Sequence, residues 1–350
     1  MTARTIDDLI ERGLVAPERA MELARVAERF SVAVTDEMAA LIDPTDPADP
    51  VAAQFVPTAA ELRDMPDDRP DPIGDEAHSP LPGIVHRYPD RVLLKPILVC
   101  PVYCRFCFRR EQVGPGRGLL PPAALERALA YIAGHSEIWE VIVSGGDPFL
   151  LSPRRLAALV QRLEAMPNVQ VIRFHTRVPV AAPRRVTAAL VAALAAETAI
   201  FVVVHANHPR ELTPAMRAAV ARLGRAGIPV LSQTVLLRGV NDDPATLEAL
   251  FRGLVAMRVK PYYLHHPDLA PGTGHFRLDI AKGQSLAAAL RGRVSGLCQP
   301  TYVLDIPGGA GKVPLLPSAV RPGGTPGHWL VTDPVGRVHR YPPPGADDDA

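Results

Sequence analysis

The 350-residue sequence predicts an α/β fold, a partial parallel barrel of six βα units with a helical segment before it and a short tail after it. Three observations predict it. Short runs rich in valine and isoleucine alternate with Ala/Leu/Arg stretches from residue 91 onward. The runs are continuously apolar rather than alternating, as strands buried on both faces of a parallel sheet are. Each run ends on a polar residue, which places chemistry-bearing side chains at the carboxyl ends of the strands, where parallel βα folds keep their sites.

Residues 1–42 read as helices, since Leu9, Ile10, Leu14, Met21, Leu23 and Val26 recur at roughly helical spacing. Residues 43–90 contain DPTDPADP and DMPDDRPDP, and proline removes backbone donors, so this stretch reads as an irregular wrapping segment. The predicted strands are 91–99, 140–144, 169–175, 199–205, 229–235 and 260–264. Helices are predicted near 122–134, 153–165, 183–197, 213–226 and 244–257, several opening with proline beside serine or threonine. A seventh run, 301–305, is expected to add an edge strand, which closes the barrel region at 91–318. Residues 319–350 form a Pro/Gly-rich tail whose end, PPPGADDDA, is expected to be disordered.

Apolar residues make up 47% of the chain, enough for a sizeable core. The 38 basic and 37 acidic side chains leave a net charge of +1, which argues against nucleic acid or a membrane surface as the main partner. No apolar run approaches the ~20 residues of a membrane helix. The opening MTARTIDDLIERGLV carries early acids and no apolar stretch of a secretory signal, so a cytoplasmic location is expected.

The polar strand ends are Cys100, then Ser144-Gly145-Gly146-Asp147, His175, His205, Gln233 and His265-His266-Pro267-Asp268. They converge on one mouth if the barrel forms; the plainer reading is that any strand must end in something polar. Of four cysteines, Cys100, Cys104 and Cys107 share the segment CPVYCRFCFRRE, which suits a metal or redox site better than a disulfide framework. Their spacing is also one face of a helix, although Pro101 and the position just after a strand weigh against that. Three thiolates in a loop can hold three irons of a cubane cluster and leave the fourth open to a chelating molecule. Zinc is the rival, but a structural zinc normally wants four protein ligands. Cys298 lies far off in sequence and reads as a small buried hydrophobe.

Two further segments are weaker on their own. SGGDP at 144–148 could be a plain strand-to-helix turn. In DIPGGAGKVPLLPS, Lys312 follows a glycine-rich turn that would let a cofactor approach, but Val313 breaks the phosphate-loop pattern G-x4-G-K-[ST]. A lone lysine after glycines is more often a solvated loop residue.

Cys-x3-Cys-x2-Cys with Phe106 before the last cysteine resembles the signature of the radical SAM superfamily. The resemblance implies a 4Fe–4S cluster on Cys100, Cys104 and Cys107 whose open iron binds S-adenosylmethionine. It also implies that Ser144, Gly145, Gly146 and Asp147 contact that molecule. The Lys312 stretch resembles the D-x-P-G-G-x-G-K segment of the lysine 2,3-aminomutase family, in which the lysine covalently holds pyridoxal phosphate. SPLPGIVHRYPDRVLL (79–94), HANHPREL (205–212), SQTVLLRGVND (232–242) and PYYLHHPDLAPGTGHFR (261–277) resemble the same family, so the likeness spans roughly 45–318. By that resemblance Arg91 clamps the cofactor phosphate, Gln233 contacts a cofactor, and Arg109 pairs with the substrate carboxylate. Asp268 and Asp305 match the two aspartates that hold the distal ammonium of lysine; without the family, each could simply cap a strand end.

The implied activity is an isomerisation of L-lysine to β-lysine. S-Adenosylmethionine is cleaved by one electron to a 5′-deoxyadenosyl radical, which takes hydrogen from the β-carbon; the amino group moves from Cα to Cβ and the hydrogen returns. A flavodoxin or ferredoxin is the implied electron donor, and a homo-oligomer the implied assembly. Two alternatives stay open: a relative acting on another amino acid or on lysine destined for elongation factor P, and a zinc-bound scaffold without activity. Two departures from the family stand out. The chain ends soon after the Lys312 segment, where longer aminomutases carry an extension used in assembly, and His265 stands where a tyrosine is common.

Overall fold

The valine-rich runs become strands because the sheet buries them from both sides. Val141 and Val143, Ile172 and Phe174, and the consecutive Val202, Val203 and Val204 are all buried. In this computed structural model, which describes residues 2–342 except 317, 325 and 335, the strands fall in three sheets. Strands β1 (Thr2–Ala3) and β2 (Val34–Thr35) pair antiparallel. The main sheet contains β3 (Ile84–Tyr88), β4 (Arg91–Ile97), β5 (Glu140–Gly145), β6 (Val171–Thr176) and β7 (Ala199–His205), followed by β8 (Val230–Val235), β9 (Val259–His265), β10 (Thr301–Ile306) and β11 (Gly311–Pro314). Its order is β11-β10-β9-β8-β7-β6-β5-β4-β3. Neighbours from β4 to β10 run parallel, while β3 and β11 are antiparallel at the two edges.

The six predicted strands are present, and a parallel α/β partial barrel is the fold. Residues 301–306 differ from the expectation: β10 is a seventh parallel strand, and the edge is β11, which turns back on it through Pro307–Gly309. The wrapping segment also ends in structure, because β3 forms a hairpin with β4.

Proline beside a capping side chain starts the crossover helices as expected. Ser152 precedes the helix Pro153–Glu164, Thr213 the helix Pro214–Arg225 and Asp243 the helix Pro244–Ala256; each accepts a backbone N–H three residues on. The 183–197 stretch does not form one helix. Pro183–Arg185 makes a single 3-10 turn, and a short helix restarts at Ala188–Ala192 behind the Thr187 cap. A helix absent from the sequence reading, Ile280–Ala289, connects β9 to β10. There Gly283 is required by packing, since a Cβ would lie 1.9 Å from the Tyr302 hydroxyl.

Before the barrel, the helices Ile6–Glu11 and Ala20–Arg29 bury Leu9, Leu23 and Val26, but Met21 is exposed rather than part of that face. The Asp-rich segment 43–90 is ordered by its own side chains: Asp49 accepts from the N–H groups of Val51 and Ala52, both at 2.8 Å. After the barrel, β12 (Val320–Pro322), β13 (Trp329–Thr332) and β14 (Val338–Tyr341) form a small antiparallel sheet. The PPPGADDDA end lies, beyond Pro342, outside the described residues. Among the described residues no helix is long and apolar enough to cross a membrane.

Candidate active site

The cysteine loop follows β4 and contains turns without a helix, so the helical-face reading of its spacing does not hold. Cys100, Cys104 and Cys107 line one small cavity of about 40 Å³ together with Phe30, Tyr103 and Arg110. Segments from before the barrel shape this loop. Tyr103 N–H donates to Ala33 O at 3.1 Å and Arg105 N–H to Gln54 O at 2.8 Å. The buried Glu61 carboxylate accepts from Arg105 Nε at 3.0 and 3.1 Å and also from Arg110. Burial pushes all three thiols up, Cys107 to about 11. Buried thiols of that kind stay protonated unless a metal compensates the charge, and iron would do so. Among the described residues no group of three or more His, Cys, Asp and Glu side chains is set to hold a single metal ion. Cys298 is buried in the main core, as expected.

β5 delivers Ser144 and Gly145 beside this loop. Gly145 has φ +96°, and a Cβ on Gly146 would lie 2.5 Å from Val99 O, so the turn packs backbone against backbone. The Asp147 carboxylate is held by protein donors. One oxygen accepts from Phe149 N–H at 3.0 Å and the Thr176 hydroxyl at 2.7 Å; the other accepts from the N–H groups of Arg177 at 2.7 Å and Val178 at 3.1 Å. Four donors fill the carboxylate, so the Asp147 side chain shapes the turn.

Across the mouth, the β10–β11 hairpin sets Lys312 directly opposite Asp305. Gly308 and Gly309, with φ +79° and +84°, make the turn. The wrapping segment packs tightly on it: a Cβ on Gly74 would lie 2.4 Å from the Gly308 carbonyl carbon. Lys312 Nζ donates to Asp305 and lies 3.3 Å from His265 Nδ1 and 5.3 Å from the centre of the Tyr263 ring. Burial pushes the Asp305 carboxyl upward, but the His265 hydrogen bond and the Lys312 ammonium outweigh it and hold it well below the usual carboxylate range. Burial and the Lys312 charge lower His265, which is therefore neutral at pH 7.

Asp268 sits in contrast to Asp305. Burial and the neighbouring Asp305 charge push it up to about 7, and among the described residues no side-chain donor reaches its carboxylate. Arg109 is held from behind by a residue the sequence reading did not single out: Asp75 accepts from Arg109 Nε at 2.9 Å and Nη2 at 2.7 Å, and from Arg87 Nη2 at 3.2 Å. Arg87 also lies 3.7 Å from Asp305. A line of alternating charge thus runs from Arg109 through Asp75, Arg87 and Asp305 to Lys312. Arg91 stacks 3.9 Å over Tyr88, whose hydroxyl accepts from Lys312 N–H at 2.8 Å, so Arg91 stands one ring away from the lysine loop. Gln233 is flanked in register by His205 and Tyr263.

The expected groups fit these surroundings. The thiols need a cation, and the Gly145-Gly146 turn leaves bare backbone at the strand end. Around Lys312 the barrel offers an aromatic ring at Tyr263 and a buried, unpartnered His175 Nε2 among the described residues, polar atoms that a polar aromatic ring could engage. Arg177, missed in the sequence, donates from Nη1 to Cys104 Sγ at 3.2 Å. Its one available signal was its place just past the β6 end, two residues after His175.

The chain is similar to known proteins. Residues 94–250 match the radical SAM superfamily. The chain is 39% identical over 316 residues to L-lysine 2,3-aminomutase of Clostridium subterminale, covering 90% of this chain and 76% of that protein. It is 40% identical over 316 residues to L-lysine 2,3-aminomutase of Acetoanaerobium sticklandii, again covering 90% and 76%. It is 35% identical over 303 residues to glutamate 2,3-aminomutase of Clostridioides difficile (strain 630), covering 87% and 72%.

Proposed function

The chain belongs to the lysine 2,3-aminomutase family of the radical SAM superfamily, and from that premise we propose that it converts L-lysine to β-lysine. Membership makes it an isomerase of the radical aminomutase class and implies a 4Fe–4S cluster, S-adenosylmethionine and pyridoxal phosphate as cofactors. The family also contains a glutamate enzyme, so the substrate rests on the site. The observation that carries it is a pair of carboxylates: Asp268, half-buried and without a side-chain donor among the described residues, and Asp305 beside it. Such a pair calls for a positive group, which the side chain of lysine has and that of glutamate lacks.

When bound, the cluster and S-adenosylmethionine supply a carbon-centred radical, and pyridoxal phosphate supplies a conjugated ring to carry the migrating nitrogen. Cys100, Cys104 and Cys107 hold the cluster, and Ser144, Gly145, Gly146 and the Asp147 backbone receive S-adenosylmethionine. Lys312 is the attachment point for pyridoxal phosphate, Arg91 faces its phosphate and Gln233 lines its pocket. Arg109, oriented by Asp75, pairs with the substrate carboxylate through its remaining N–H groups. Asp268 seats the distal ammonium. Asp305, close by, would share that ammonium. His265, whose Nδ1 lies 3.3 Å from Lys312 Nζ and 3.6 Å from Asp305 Oδ2, orients the Lys312 amine against that carboxylate. The barrel walls exclude water and stray hydrogen donors from the radical. The electron comes from a small redox protein such as flavodoxin or ferredoxin, and the working form is a homo-oligomer.

The test is anaerobic incubation of the reconstituted protein with S-adenosylmethionine, reductant, pyridoxal phosphate and, separately, lysine, glutamate, arginine and alanine. β-Lysine is expected, with loss on Lys312→Ala and on Cys104→Ala. Turnover of another amino acid with none of lysine would overturn the substrate; the absence of 5′-deoxyadenosine with every amino acid would overturn the radical chemistry.

A further inference from the structure

Arg177 has no part in the reading above, yet it is among the most constrained side chains in the molecule. It is buried and charged, and its guanidinium lies against one of the three cysteines. Nη1 donates to Cys104 Sγ at 3.2 Å; Nη2 donates to Glu211 Oε2 at 2.7 Å and to Gln54 Oε1 at 2.8 Å. The rings of Phe55 and Phe106 lie 4.7 and 5.4 Å from the guanidinium carbon, which keeps the contact dry. Glu211 is itself anchored by the N–H groups of Asn207 at 3.0 Å and His208 at 2.9 Å and by Gln54 Nε2 at 3.1 Å. Backbone geometry then ties Arg177 to the strand-end turn, because its own N–H donates to Asp147.

A buried cation needs a reason to persist. Glu211 compensates its charge but does not require that Nη1 point at sulfur. Hydrogen bonds to ligand sulfurs and nearby charge are among the protein's means of setting the potential of an iron–sulfur cluster. We propose that Arg177 raises the reduction potential of the cluster by donating to the Cys104 sulfur, and that Glu211 opposes it by withdrawing part of the guanidinium charge. The step concerned is the uptake of one electron from an external low-potential donor. The cluster gains one negative charge, no bond forms or breaks, and the guanidinium stabilises the reduced form more than the oxidised one. Arg177 is a positioning and tuning residue that touches a ligand of the cluster and not the substrate.

The inference rests on Cys104 being a cluster ligand, so the experiment separates the two. Full-length protein is reconstituted with iron and sulfide under anaerobic conditions and both elements are quantified. The midpoint potential is then read by spectroelectrochemistry with electron paramagnetic resonance of the reduced state, for the unaltered chain and for Arg177→Met, Arg177→Lys and Glu211→Gln. Losing a hydrogen bond to a charged group changes an equilibrium ratio by about tenfold or more. Arg177→Met is thus expected to cut the reduced-to-oxidised ratio at fixed potential by about tenfold or more, a fall of about 59 mV or more for a one-electron couple. Arg177→Lys should fall less. Glu211→Gln, which keeps an acceptor for the Asn207 and His208 N–H groups, should shift the midpoint upward and carries the test if the arginine variants do not fold. Equal midpoints in every folded, cluster-loaded variant overturn the proposal. An unaltered chain that takes up no iron and sulfide overturns the ligand assignment, and the proposal with it.

Discussion

Asp75 holds Arg109 by one oxygen, taking Nε at 2.9 Å and Nη2 at 2.7 Å, while its other oxygen accepts from Arg87. The arginine expected to receive the substrate carboxylate is therefore aimed by a residue in the wrapping segment. Asp75→Asn keeps an acceptor but removes the charge that fixes both guanidinium groups. The KM for the amino acid should rise by about tenfold, the equivalent of one weakened charged hydrogen bond, with kcat altered less. Steady-state kinetics at saturating S-adenosylmethionine would read it, and an unchanged KM would remove Asp75 from the site.

Asp268 gives a pH prediction whose sign follows from its raised carboxyl. Its ordinary value of 3.8 is pushed up to about 7 in the fold, so the folded state binds the proton more tightly than the unfolded one. Its contribution to stability is favourable at low pH and is lost as pH rises through about 7. Asp268→Asn should consequently raise the unfolding temperature at pH 8 and change it little at pH 4. The same variant should weaken lysine binding by roughly a hundredfold, as expected for losing one partner of a buried ion pair worth about 3 kcal/mol. Calorimetry on cofactor-loaded protein, with thermal melts at the two pH values, checks both; equal effects at pH 4 and pH 8 would refute the raised carboxyl.

Two glycine variants should differ in sign. On Gly146 a new Cβ meets the backbone of Val99 at 2.5 and 2.6 Å, so Gly146→Ala is expected to cost about 1–3 kcal/mol and to weaken S-adenosylmethionine binding. On Gly224, inside the helix Pro214–Arg225, a Cβ meets nothing within 4 Å, and alanine should stabilise by about 0.5–1 kcal/mol. Denaturant unfolding and equilibrium dialysis read the two quantities, and a neutral Gly146→Ala would mean that the turn is not packed as described.

Cys298→Ala should keep the full iron content that Cys104→Ala loses. Cys298 lies in the main core beside the amino-terminal end of β9, where Lys260 binds the carbonyls of Leu297 and Gln299, while the cysteine loop follows the carboxyl end of β4. Iron analysis after anaerobic reconstitution distinguishes them, and iron lost with Cys298 would make it a fourth ligand.

The parallel strands were legible because each is a short apolar run between capped helices, and the cysteine loop and Lys312 because their motifs are local. What escaped was non-local. Nothing in DPIGDEAHS marks Asp75 as the partner of Arg109, since that pairing depends on how a proline-rich stretch wraps over the barrel. β11 escaped because GKVP is only four residues long, opens on glycine and ends on proline, and is extended by pairing with β10. The helix Ile280–Ala289 escaped because Lys282, Gly283, Gln284 and Ser285 interrupt its apolar period. Arg177 belongs to no local motif, and only its approach to the Cys104 sulfur distinguishes it.

The packing of Gly74 on Gly308, with the Tyr88 hydroxyl receiving the Lys312 N–H, also governs the order in which the molecule can be built. Residues 74 and 88 leave the ribosome long before 308 and 312, and β11 follows every other strand of the main sheet. The segment that aims Arg109 therefore lacks its second support until the lysine hairpin has been made. Such widely separated contacts close late in folding. A nascent chain is thus expected to finish its radical-generating side and its amine-carrying side in a single closing event, so that a cysteine loop in its final form seldom exists without the lysine that will use it.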